Sequence, residues 1–394
     1  MKKTLLVTCQ FPPDIGGVET HLYNIAKRLP PDKLVVLGEE GEYIPVKKVY
    51  RNKKCVKFDR QQKYQTIRTA FYHHHRFVWP RWMPLLKKIE EVARSENIEQ
   101  ILAGQVLPVG TAARIIGNRL QIPYFVYTYA YDIEVAKQHW RHRHTLKKVL
   151  IDSKEIFTIS EDTKKRMTDF GIPEKKIVKI TPGLDLKEFV PDEQTLTTKT
   201  AELKRRYDLA NKKIILTIGR LVARKGQDTV IKSLPKILAK VPDVHYVIAG
   251  KGEDETRLKE LVAELGLTDH VTFTGKFAEN EKAAWYNLCD VFAMVSRIEK
   301  SVDIEGFGIV YLEANALSKP VVGANVGGVP DAVANNQTGI LVNNPSSTTE
   351  VAAAITKLLM NHDLATQLGK HGQDRIKKQF DWDQLVKRLE KHLS

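Results

Sequence analysis

Short apolar runs rich in β-branched residues alternate with amphipathic helical stretches along this chain, and the alternation starts afresh near its middle. A strand buried on both faces reads as an unbroken apolar run, and a helix covering it carries one apolar stripe, so the pattern predicts parallel βαβ layers. Strands are expected at Leu5–Cys9, Leu34–Leu37, Ile101–Ala103, Tyr124–Tyr127, Ile156–Ser160 and Ile177–Ile180 in the first half. The second half repeats the pattern at Ile214–Ile218, Val244–Ala249, Val271–Thr274, Val291–Met294, Val321–Gly323 and Ile340–Val342. Because 394 residues exceed what one hydrophobic core usually organises, the restart predicts two doubly wound α/β domains.

The stretch from Pro182-Gly183 to Thr200 is rich in Thr, Asp, Glu and Pro and poor in periodic apolar positions, so it reads as a linker. It separates an expected first domain, residues 1–188, from a second, residues 189–379. An amphipathic segment within 380–394, marked by Trp382, Leu385, Val386 and Leu389, is expected to cross back to the first domain.

No apolar run approaches the roughly 20 residues that span a bilayer. The opening MKKTLLVTC reads as a first strand and not as a secretory leader, because Gln10 and the Pro12-Pro13-Asp14 turn end it too soon. Cys9, Cys55 and Cys289 share no CxxC or zinc-like spacing, which fits buried thiols in a reducing, cytoplasmic setting. A formal charge of +15 implies an anionic partner: nucleic acid, an acidic lipid surface or a phosphorylated substrate.

The first strand runs through a Pro-rich turn into Gly16-Gly17 and then a helix, an arrangement that lets backbone N–H groups approach a phosphate. A plain strand-to-helix turn would account for it equally well. The first strand of the second half leads into Gly219-Arg220-Leu221-Val222-Ala223-Arg224-Lys225-Gly226, which places Arg220 and Lys225 at the carboxyl end of a parallel strand. Open α/β sheets bind their ligands there, and two fixed cations suit a leaving diphosphate. Ala249-Gly250-Lys251-Gly252 begins like a dinucleotide fingerprint, but Glu255 stands where the third glycine belongs, which argues against an oxidoreductase. Glu305 precedes a glycine-containing helix start and Glu313 lies eight residues later, a helical path of roughly 12 Å. Both carboxylates could accept hydrogen bonds from sugar or ribose hydroxyls, while the N–H groups of Phe307, Gly308 and Ile309 point at ligand oxygens.

The Glu305/Glu313 E-x7-E pair, the R-L-x3-K-G stretch Arg220–Gly226, the Gly16-Gly17 loop and the Gly327-Gly328-Val329-Pro330 turn together resemble retaining glycosyltransferases of family 4. The resemblance covers essentially the whole chain and implies the GT-B fold, two Rossmann-like domains facing across a cleft. It implies that Arg220 and Lys225 neutralise the diphosphate of a nucleotide sugar, that Glu305 orients the transferred sugar and that Glu313 holds the ribose. Gly250 and Lys276 would enclose the base, and Gly16 would cover the phosphates from the first domain. Where the family often carries a His-Gly pair, this chain has Thr128-Tyr129-Ala130, and the Tyr129 phenol can donate a hydrogen bond but cannot carry positive charge. The stretches RLVARKGQD and SVDIEGFGIVYLEA are similar to phosphatidylinositol-mannoside mannosyltransferases that use GDP-mannose. UDP-glucose or UDP-N-acetylglucosamine with a soluble or lipopolysaccharide acceptor is the alternative within the class. A nucleic-acid-binding protein lacks any recognition motif here, and a sugar epimerase of the same architecture would need no acceptor.

Glycosidases that retain configuration set two carboxylates about 5–5.5 Å apart across the scissile bond, which Glu305 and Glu313 are not spaced to do. The resemblance implies a same-face substitution instead, with the departing phosphate taking the acceptor's proton. Paired acids at Asp303-x-Glu305 and Asp381-x-Asp383 invite a metal, but the first is assigned to sugar by the resemblance and the second suits a helix start. No metal or other cofactor is expected. Between Arg60 and Glu90, basic residues are interleaved with aromatics, and Lys137 to Leu150 holds five Lys or Arg, three His and no acid. Arg68, Arg76, Phe77, Trp79, Arg81 and Trp82 are therefore expected to contact an anionic membrane surface carrying a lipid-linked acceptor, at the inner face of the plasma membrane.

Overall fold

A computed structural model of the chain describes residues 1–14, 16–40, 53–72, 79–299 and 303–394. Two compact units emerge: Met1–Pro182 together with Trp382–Ser394, and Gly183–Asp381.

The first unit is built on a parallel sheet of β1 (Thr4–Thr8), β2 (Leu34–Glu39), β3 (Gln65–Thr69), β4 (Gln100–Ala103), β5 (Tyr124–Thr128), β6 (Ile156–Thr158) and β7 (Ile177–Lys179). Their order is β3-β2-β1-β4-β5-β6-β7. Every residue of β1 is buried, as a central strand covered on both faces must be. One face packs on α1 (Gly17–Ala26) and the other on helices that include α3 (Met83–Ser95); α2 (Lys53–Asp59) lies between β2 and β3 in the chain. The edge strand β3, sequence QTIRT, escapes the sequence reading because it is partly exposed and polar, so no apolar run announces it.

The terminal helix, Trp382–His392, does lie on the first unit. Its stripe of Trp382, Leu385, Val386 and Leu389 joins Leu6, Leu22, Ile25, Phe125 and Tyr127 in one buried cluster. Gln100 Nε2 and Lys2 N donate to the Leu393 carbonyl at 2.7 and 3.0 Å, and Arg28 pairs with Asp383 at 2.8 Å.

In the second unit β8 (Lys213–Ile218), β9 (Val244–Ala249), β10 (Val271–Gly275), β11 (Val291–Ala293), β12 (Val321–Ala324) and β13 (Gly339–Val342) form another parallel sheet, ordered β10-β9-β8-β11-β12-β13. The expected linker is instead largely helical, with elements at Leu186–Phe189 and Glu193–Arg206. Asp192 caps the longer one by accepting from Thr195 N at 2.9 Å. Thr200 and Leu203 face inward, and Thr200 Oγ1 accepts from Asn287 at 3.0 Å, so a narrow stripe packed on a neighbouring helix was hidden by polar composition.

Candidate active site

In both sheets the strand order reverses beside the first strand, so connections leave in opposite directions and open a crevice at the carboxyl ends. In the second unit the reversal falls between β8 and β11, which pair in parallel through Ile215 and Leu216. Lys225 comes from the short 3-10 turn Ala223–Lys225 that follows β8, and Glu305 from the segment that follows β11. Glu305 therefore stands in a loop before the Ile309–Ala316 helix and not on it, so helical spacing does not set its separation from Glu313.

Lys225 Nζ donates to Glu305 Oε2 at 2.5 Å, and Arg224 Nη1 donates to the same oxygen at 2.7 Å. Arg224 Nε also lies 2.8 Å from Asp303, so both acids of Asp303-x-Glu305 are engaged by one guanidinium. Lys225 is only 9% exposed. Burial pulls its ammonium below the ordinary lysine range, and Glu305 offsets part of that pull. Burial pushes the Glu305 carboxyl up, but Lys225 and Arg224 outweigh it and hold it at about 2, so the acid stays ionised. Behind Arg224, its carbonyl accepts from Arg297 N at 2.8 Å, and the Arg297 guanidinium reaches Asp228 at 2.8 Å.

The Gly327-Gly328 motif acquires a physical reason here. Gly328 N donates to the Glu305 carbonyl at 2.9 Å, while Gly327 sits at φ 56, where a Cβ would come within 2.5 Å of that oxygen. The turn thus pins the backbone that carries the glutamate.

Glu313 is buried on the helix and has a separate set of partners: Lys282 Nζ at 2.5 Å and Tyr286 Oη at 2.7 Å, both donating. Glu313 raises Lys282 against the opposing effect of burial, and burial with Glu313 drives the Tyr286 phenol well above its usual range. Arg220 and Lys276 are exposed, following β8 and β10 respectively. Gly250 follows β9 and donates to the Gly275 carbonyl at 3.0 Å. Gly308 caps the helix that Ile309 begins, and Phe307 is buried against Phe380.

Sequence reasoning passed over Arg224, Lys282 and Tyr286 as site residues. A buried carboxylate demands a charged or donating partner, so Glu305 and Glu313 carried the signal that such residues must exist, though not which ones.

In the first unit, Gly16 precedes α1 in an extended conformation, Gly17 is its first residue, and Thr20 N donates to the Gly16 carbonyl at 3.0 Å. Tyr129 follows β5 with its hydroxyl buried and unpartnered among the described residues; its ring stacks on Tyr127 and lies 5.7 Å from that of His21. Of the expected membrane contacts, Trp79 is 85% exposed, whereas Trp82 packs on the core and Arg81 is half-buried. Arg76 and Phe77 lie outside the described residues. Arg68 is a correction: its side chain is 8% exposed and bonded inward to Asp59, which leaves no cation for a lipid surface.

Residues 15–188 match the family described as Glycosyltransferase Family 4, and residues 199–375 that described as Glycosyl transferases group 1. The chain is 32% identical to the GDP-mannose-dependent alpha-(1-6)-phosphatidylinositol monomannoside mannosyltransferase of Mycobacterium tuberculosis, over 99% of this chain and 97% of the relative. A GDP-mannose-dependent monoacylated alpha-(1-6)-phosphatidylinositol monomannoside mannosyltransferase of Corynebacterium glutamicum is 26% identical over 98% and 97%. Among solved structures, Anabaena HepE in complex with UDP superposes with a TM-score of 0.81 at 19% identity, covering 100% of this chain and 99% of that one. That likeness shows the GT-B fold.

Proposed function

This chain belongs to glycosyltransferase family 4, and from that membership we propose that it transfers mannose, with retention, from GDP-mannose to a phosphatidylinositol-mannoside-type lipid. One observation carries the reading: two cations from the loop after β8 converge on a largely buried glutamate from beyond β11, at the reversal of strand order. A site with that charge set suits a nucleoside diphosphate whose negative charge grows as the bond to the sugar C1 breaks. The acceptor hydroxyl then bonds to C1 on the same face, and its proton passes to the leaving phosphate oxygen. Lys225, Arg220 and Arg224 stabilise that oxygen, Glu305 orients the hexose, and Glu313 holds the ribose. Because Arg220, Arg224 and Lys225 would neutralise the diphosphate in this reading, transfer is proposed to need no metal; EDTA should leave turnover intact, and Mn²⁺-restored loss would overturn this.

The lipid side of the reading rests on the names of the relatives and on the first unit's surface. There the helix Trp140–Asp152 presents Trp140, 75% exposed with the Arg141 guanidinium 5.2 Å from its ring, beside Arg143, Lys147 and Lys148. Among the described residues no helix is long and apolar enough to cross a membrane, so the protein is proposed to dock peripherally on an anionic inner leaflet.

Isothermal titration with GDP and UDP, followed by donor turnover across nucleotide sugars and extracted lipids, tests the proposal. Binding of UDP in preference to GDP, or transfer to no lipid fraction, would sink it.

A further inference from the structure

Two loops of the second unit carry the cations and the acid of the donor site, and one side chain spans both. Arg297 stands shortly beyond β11, and its guanidinium serves two segments of the chain. Nη1 donates to Asp228 Oδ1 at 2.8 Å and Nε to Glu299 Oε1 at 2.7 Å. Asp228 lies in the first turn of the helix Gln227–Leu238, which begins just past the Ala223–Lys225 turn. Glu299 lies further along the loop after β11 and exchanges backbone hydrogen bonds with Asp303 at 3.1 and 3.0 Å. Asp303 in turn holds Arg224 Nε at 2.8 Å, and the Arg297 backbone N–H donates to the Arg224 carbonyl at 2.8 Å. Arg224, Arg297, Glu299 and Asp303 therefore close a ring of contacts, and Glu305 is the next acid that the Arg224 guanidinium touches.

A long side chain on a short turn has many rotamers to lose, so it stays on one carboxylate only when the turn and the acid are both fixed. One backbone approach fixes the turn: Gly226 has φ 74, and a Cβ there would come within 2.2 Å of the Val295 carbonyl. The Arg297 fork adds the acid-bearing segment, because it ties Glu299, and through it Asp303, to Asp228. We infer that Arg297 is a positioning residue that clamps the loop after β8 to the loop after β11 and so keeps the Arg224 guanidinium on Glu305. A lysine ammonium is a single point of charge and cannot serve two carboxylates in the fixed directions that Nε and Nη1 impose. This inference rests on the proposed reading in which Arg224 stabilises the leaving phosphate oxygen.

A double-mutant cycle in GDP-mannose turnover tests it, with R297Q, R224Q and R224Q/R297Q, and with D228N/R297Q scanned for its thermal midpoint as well. R297Q is expected to lower kcat/KM for GDP-mannose about tenfold or more in the wild-type background, the scale of a small misplacement of a positioning group. On the R224Q background the same change should cost less than about twofold, because the group that Arg297 positions is already gone. R297Q leaves Asp228, 7% exposed, with Arg257 at 3.8 Å as its cation. D228N/R297Q removes that acid, so it should melt closer to wild type than R297Q while keeping the kinetic loss, and it decides the matter if R297Q does not fold. Wild-type kcat/KM in R297Q, or an equal loss on both backgrounds, overturns the inference and leaves the functional reading standing. Recovery of kcat/KM in D228N/R297Q also overturns it, because an unpaired acid would then be the cause. An unimpaired R224Q, or a wild type that turns over no GDP-mannose, removes the reading beneath it and the inference with it.

Discussion

Lys225 and Glu305 meet at 2.5 Å although eighty positions separate them, because parallel strands β8 and β11 bring the loops that carry them to the same edge. Truncating the Lys225 side chain to a methyl group leaves the carboxylate with Arg224 as its cation. The K225A variant is expected to lose 10²–10³-fold in kcat/KM, about 3–4 kcal/mol of transition-state stabilisation, and to melt earlier. Steady-state kinetics with the donor and a thermal scan check both; unchanged turnover would refute the role of Lys225.

Glu313 makes a second, independent case. The E313A variant leaves Lys282, a largely buried cation, with only the more distant and exposed Glu279 at 3.6 Å and leaves the Tyr286 hydroxyl without its acceptor, which should cost about 3 kcal/mol of stability. Removing the cation as well, in E313A/K282M, should recover part of that loss. Chemical denaturation measures the pair, and a double variant no more stable than E313A would show that Lys282 is not the strained group.

His21 lies 1% exposed among Tyr127, Tyr129 and Trp382, with both ring nitrogens unpartnered among the described residues. Burial lowers its pKa to about 3. The unfolded chain takes up this proton below about pH 6.5 while the folded one does not, so stability is full above that pH and falls as the pH drops toward 3. The slope from this group approaches roughly 1.4 kcal/mol per pH unit. Between pH 7 and about 4 the thermal midpoint should fall more steeply for wild type than for H21F. Parallel curves would mean that the imidazole protonates in the folded protein.

Trp140 and Trp79 are the exposed aromatics through which docking should act. The W79A/W140A double variant is expected to lose about tenfold in association with anionic vesicles while keeping its affinity for GDP in solution. Flotation equal to wild type would remove these residues from the membrane proposal.

Most strands were legible to within a residue or two, β9 at Val244–Ala249 without any discrepancy. Burial on both faces of a parallel sheet leaves an apolar run that needs no partner to be recognised. At the edge, β3 was illegible for the same reason in reverse, and the Glu193–Arg206 helix was masked by its polar surface. Among site residues, Lys225, Glu305 and Glu313 stood out through motif and position, but the Lys225–Glu305 pair, the Arg224 bond to the same oxygen and the Lys282–Glu313–Tyr286 group did not. Their partners lie between 27 and 81 positions away.

Local pattern alone determined that this chain would form two βαβ units, because periodicity of burial is a property of neighbouring residues. Only the tertiary structure decided which charge faces which. The sign of Arg68 was plain in the sequence, but its direction was set by the Asp59 carboxylate and the Pro12 carbonyl that accept from it. Ion-pair identity depends on strand order and on burial that lowers the local dielectric, and neither is encoded within any single stretch of residues.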